Sequence, residues 1–167
     1  AVLRPHGSVH LAPARLAEGH PGGAAARANA CRLYERSLAH YRAVLRPHDQ
    51  DDDVGAAMAR FVAANLRALR GTHASTDTLV RLERQLGALL RQSTAWARAD
   101  LTERQCIFEK FAILAVFVSE CAVQALREGP AAMANVNRAA RAYLQEFLGV
   151  DAARLALGPE GLRLTSA

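Results

Sequence analysis

The chain has 167 residues, 51 % of them hydrophobic, and a formal net charge of +5. That length supports one compact domain able to bury about 70 % of the surface of its unfolded chain. Three cysteines are too few for a disulfide scaffold, and Lys110 is the single lysine among 21 basic residues, so the charge follows an arginine-rich and alanine-rich composition rather than a clustered nucleic-acid surface.

Residues 1–26 are punctuated by Pro5, Gly7, Pro13, Gly19, Pro21, Gly22 and Gly23, which predicts an extended or mobile segment ahead of a helical domain at 27–167. His6, His10 and His20 lie in this segment without a Cys or carboxylate in metal-ligand register. The first helix is expected from Ala28 to Leu45, where Cys31, Tyr34, Leu38, Tyr41 and Leu45 recur on one face and Pro47 stops the run. Arg32, Arg36 and Arg42 take its other sides. They form a candidate interaction face for a protein partner, because residues 1–48 carry seven Arg against two Glu.

Asp49, Asp51 and Asp53 imitate the opening of a calcium loop, but Val54 stands where that loop needs Gly and Arg60 where it needs a bidentate Glu. Carboxylates that cap the next helix account for them better. That second helix is expected at 52–70, with Val54, Met58, Phe61, Val62, Leu66 and Leu69 inward and Asn65 inside the same stripe. The third is capped by Ser75 or Thr76, and Leu79, Leu82, Leu86 and Leu89 recur three and four residues apart along it, a short heptad-like stripe. Trp96 either extends it or covers the core from a loop.

The fourth helix is expected from a Thr102 cap, with Gln105 as box partner, to the stop at Gly129-Pro130, about 39 Å of helix. Its uncharged run from Phe111 to Ser119 is too short for the roughly 20 residues of a membrane span. An apolar helix of this kind belongs at the centre of a bundle. Gln105, Glu109 and Glu120 share one side of it and could border a polar slot. No Glu-x-x-His element accompanies them, and Cys106 and Cys121 lie too far apart on one helix to pair with each other, whereas Cys31 could reach either. A fifth helix ends at Gly149, and Asp151 is positioned to cap a short C-terminal helix through Ala156.

The expected fold is therefore an all-α, single-domain bundle of about five helices around the fourth, plus that short helix. The ordered series Asp52-Asp53-Val54-Gly55-Ala56-Ala57, Phe61-Val62, Asn65, Glu103-Arg104-Gln105, Glu109 to Leu114, Tyr143-Leu144, Phe147-Leu148, Val150-Asp151, Arg154 and Gly161-Leu162 resembles an uncharacterised family of exported, mostly helical bacterial proteins. The resemblance implies a periplasmic or secreted protein with its leader removed, and no activity, cofactor or metal.

Two roles follow as expectations. The first is a noncatalytic interaction or scaffold protein of the bacterial cell envelope. The second is a bundle that binds a small apolar or amphipathic molecule between the second and fourth helices. Phe61, Asn65, Phe108 and Ala112 would line that cavity, with Gln105, Glu109 and Glu120 as buried polar candidates.

Overall fold

The computed structural model describes residues 10–165, so His6 lies outside the described residues. Seven helices are found among them: α1 (Ala12–Glu18), α2 (Ala24–Leu45), α3 (Val54–Arg70), α4 (Thr76–Gln92), α5 (Thr94–Arg98), α6 (Leu101–Glu128) and α7 (Pro130–Leu148). A two-stranded hairpin, β1 (Leu155–Gly158) with β2 (Gly161–Leu164), closes the fold. The all-α bundle is as expected, but with two additional short helices and with a hairpin in place of the C-terminal helix.

The central position belongs to α3. It packs against α4, α6 and α7, and its buried residues run almost without interruption from Val54 to Met58 and on through Phe61, Val62, Asn65 and Leu66. Small residues make this enclosure achievable, because alanines let neighbouring backbones approach from every side. At Gly55 a Cβ atom would come within 3.1 Å of Asp53 Oδ1 and 3.4 Å of the Glu83 carbonyl. The expected centre, α6, is instead the longest helix and lies along α3, flanked by α1, α2 and α7. Its apolar run supplies Ala112, Ile113, Leu114, Ala115 and Val118 to the core, while Phe111, Val116 and Phe117 stay partly exposed.

The helix boundaries have local causes. Asp53 caps α3 by accepting from Ala56 N at 3.0 Å, and Ser75 does the same for α4 through Thr78 N at 3.1 Å. The cap of α6 is Asp100, not Thr102. Its carboxylate accepts from Glu103 N at 2.8 Å while Glu103 accepts from Asp100 N at 2.9 Å, a complete reciprocal box. Gly129, at φ 110°, ends α6 and opens α7, a backbone conformation that L side chains rarely adopt. Trp96 sits on the separate five-residue α5, largely buried, with the Arg104 guanidinium 5.1 Å from its ring centroid.

Within the segment expected to be extended or mobile, Ala12–Glu18 is helical and α2 begins at Ala24. Pro13 does not oppose α1, because it stands in the first turn, where its missing N–H has no intrahelical acceptor. At the other end, Asp151 caps only a three-residue 3-10 turn, Ala152–Arg154, and the chain then extends. The hairpin is tied to the bundle from two sides. Arg70 donates to the carbonyls of Leu155, Ala152 and Ala153. Gln85 pairs with both backbone groups of Leu162, at 2.8 and 2.9 Å.

Candidate functional site

Glu109 is wholly buried, an arrangement that requires compensation for its charge. The compensation comes from α1. Leu11 N and Ala12 N donate to Glu109 Oε2 at 2.8 and 3.0 Å, and the positive end of α1 faces the carboxylate. No side chain within α1 caps this end, so Glu109 acts as its cap from a distant part of the chain. On the other oxygen, Gln105 Nε2 donates at 2.9 Å, and Arg42 Nη2 stands at 3.9 Å, an ion pair too long for a hydrogen bond. His10 Nδ1 lies 3.3 Å from Glu109 Oε1 and 3.2 Å from Arg42 Nη1. That nitrogen serves one partner at a time, donating to Glu109 when protonated and accepting from Arg42 when not.

This arrangement separates residues that the sequence had grouped. Gln105 and Glu109 meet, whereas Glu120 is exposed further along α6. Asn65 is buried on α3 and donates to the Phe61 carbonyl at 2.8 Å, one turn back on its own helix. Phe108 is packed edge-on against Tyr41 at 5.9 Å, and Ala112 is fully buried. On α2, Arg32 and Arg36 are exposed, while the Arg42 side chain is turned in towards Glu109 and Phe108. The three arginines therefore do not present one surface.

The concave feature that collects most aromatic surface lies on the α6–α7 side of Phe61. Six of the eight Phe and Tyr residues line it: Tyr34, Phe61, Phe111, Phe117, Tyr143 and Phe147. The cleft has a volume of about 580 Å³, within the range of small-molecule sites. Phe61 is the buried floor, with ring centroids of Phe111, Phe147 and Tyr143 at 5.1, 5.7 and 6.2 Å, all edge-on. Phe111 and Phe147 are 4.7 Å apart, and Tyr34 meets Phe117 at 5.6 Å. Phe111, Phe117, Tyr143 and Phe147 keep partial exposure, so this cluster is open to solvent on one side.

A polar rim borders the aromatic wall. Lys110 Nζ lies 4.0 Å from Glu146 Oε1, and both side chains are well exposed. Leu16, at the end of α1, and His20, in the turn that follows, border it from the opposite element. The anchor on Glu109 thus fixes the helix that forms part of the cleft wall. Burial pushes the Tyr34 and Tyr143 phenols up from their ordinary value. It likewise pushes the Cys121 thiol up, with Glu120 and Glu128 adding to the effect. Cys31, Cys106 and Cys121 are free thiols.

Among the described residues no group of three His, Cys, Asp or Glu side chains is placed to hold a metal ion. Asp53 and Asp51, from the calcium-like run, serve as the α3 cap and as the partner of Arg46 at 3.2 Å. No helix among those residues is long and apolar enough to cross a membrane.

These features define a single-domain helical bundle with an aromatic cleft on its side. The chain belongs to a family of unknown function, DUF6683, whose match extends over residues 2–165. No curated protein and no solved structure matches it.

Proposed function

We propose that the protein binds a small amphipathic molecule in the aromatic cleft, its apolar body against Phe61, Phe111 and Phe147 and its charged group at the Lys110–Glu146 rim. The observation that carries this reading is the gathering of six of the eight Phe and Tyr residues around one open cleft. Four of those rings retain exposed surface, which a ligand would cover with a favourable transfer of about 25 cal/mol per Å². A scaffold role based on Arg32, Arg36 and Arg42 has less support, because Arg42 is held on Glu109. A bacterial, extracytoplasmic setting belongs to the same proposal and is supported by the family resemblance given above.

Calorimetric titration with phenylpropionate, octanoate and phenethylamine tests both halves of the reading. At least one of them is expected to bind the wild type. Phe111→Ala should weaken that binding about tenfold or more, equivalent to about 1.4 kcal/mol. Lys110→Glu should weaken the anions and spare the amine. Arg32→Glu with Arg36→Glu should leave every affinity unchanged. Failure of all three probes to bind, or equal binding by Phe111→Ala, would refute the assignment.

A further inference from the structure

A cleft of about 410 Å³ lies between the last turns of α3, the later part of α6 and the start of α7, and it shares no residue with the aromatic cleft. No Phe, Tyr or Trp lines it. Ala64, Ala68 and Ala122 leave space between the three helices, and Leu69, Val123, Leu126 and Met133 supply aliphatic walls. Val123 and Leu126 stay exposed, Leu126 at 73 %. A ligand that covers such surface gains about 25 cal/mol per Å².

The polar side chains of the cleft fall into two groups. Ser119 Oγ donates to the Ala115 carbonyl at 2.8 Å, and the Asn137 amide nitrogen donates to the Ala68 and Met133 carbonyls at 2.6 and 3.3 Å. Both are therefore committed to the backbone. Arg67 and His73 are different, because both are exposed and neither side chain makes a hydrogen bond or an ion pair among the described residues. No carboxylate lines the cleft. Glu120 lines the neighbouring concavity, which also reaches Arg67, but no ion pair joins the two. An aliphatic trough bordered by a permanently charged, unpaired guanidinium is complementary to an anion carried on an alkyl chain.

We propose that this cleft binds a medium-chain fatty acid, its carboxylate on the Arg67 guanidinium and its alkyl chain against Leu69, Val123, Leu126 and Met133. The planar guanidinium pairs with a carboxylate through two parallel N–H donors. An unbranched chain suits a floor of alanines, whereas a ring system would find no aromatic partner there.

Decanoate, decan-1-ol and decylamine are the probes, titrated against the full chain and followed by calorimetry and by methyl proton shifts. Decanoate should bind and shift the methyl signals of Val123, Leu126 and Met133, with decan-1-ol about tenfold weaker and decylamine weaker still. Arg67→Gln should weaken decanoate about tenfold and leave decan-1-ol unchanged, while Arg67→Lys, which keeps the charge, should retain most of the affinity. Leu126→Asp should weaken both decanoate and decan-1-ol, with folding of each variant checked by its thermal melt. Phe111→Ala should leave the decanoate-induced methyl shifts unchanged, which separates this site from the aromatic cleft. The proposal is overturned if decanoate fails to bind or to move those methyl signals, if decylamine binds as well, or if Arg67→Gln retains full affinity. It is equally overturned if sedimentation finds the ligand-free protein to be a dimer that Leu126→Asp dissociates, which would assign this face to a second copy of the chain.

Discussion

Glu109 shows how one side chain can organise a distant segment. Its carboxylate satisfies two amides of α1 from 97 and 98 residues away, so its loss leaves those donors and the nearby Arg42 charge without their partner. Glu109→Ala should destabilise the fold by about 3 kcal/mol, and Glu109→Gln, which keeps an acceptor but removes the charge, by about half as much. Urea unfolding measures both, and amide exchange should accelerate first at Leu11, Ala12 and the residues of α1. Slow exchange there in Glu109→Ala would show that α1 is held by other contacts. The three tyrosines carry a second expectation. Burial raises the phenols of Tyr34, Tyr41 and Tyr143 above their ordinary 10.0. Above that pH the unfolded chain releases protons that the folded chain retains, so stability must fall as pH rises beyond 10.0. A urea midpoint that declines across this range in the wild type, and declines less in Tyr41→Phe, is the expected result. A flat midpoint would contradict it.

At the level of elements, the long helices were legible because each combines an apolar stripe with a local stop. Ser75, Gly71, Gly129-Pro130 and Gly149 bound them within a few residues of their observed ends. Three features were not legible. The apolar run of α6 outweighs α3 in sequence, yet α3 is central because Gly55, Ala56, Ala57 and Ala59 bury small surfaces on all sides, a contribution that an apolar pattern under-represents. The α1 helix is short and contains Pro13, and it is held by packing on α2 together with the carboxylate of Glu109. The hairpin strands have four residues each, too few to show alternation, and their decisive contacts come from Arg70 and Gln85. Arg70→Met should release the carbonyls of Ala152, Ala153 and Leu155, with a loss of about 2 kcal/mol. Exchange should accelerate at 155–164 before the helices respond. Uniform acceleration throughout the bundle would instead make the hairpin part of the same cooperative unit.

For the whole molecule, the bundle separates two kinds of polar placement that look alike in sequence. Glu109 is enclosed and holds α1 in position, while Glu120, eleven residues later on the same helix, is exposed. Of the cavity residues expected from sequence, Phe61 faces the aromatic cleft, whereas Asn65, Phe108 and Ala112 belong to the packed interior. The cleft itself could not be read from spacing, because its rings come from α2, α3, α6 and α7, and only packing brings them together. The fixed end of α1, with Leu16 and the following His20, completes its edge. The most direct test of this account is native mass spectrometry of the protein isolated from its host without denaturation. A small-molecule adduct on the wild type that disappears in Phe111→Ala and persists in Arg32→Glu is the predicted result. Wild type that carries no adduct even when saturated with the apolar extract of its host, or an adduct unchanged by Phe111→Ala, would contradict it.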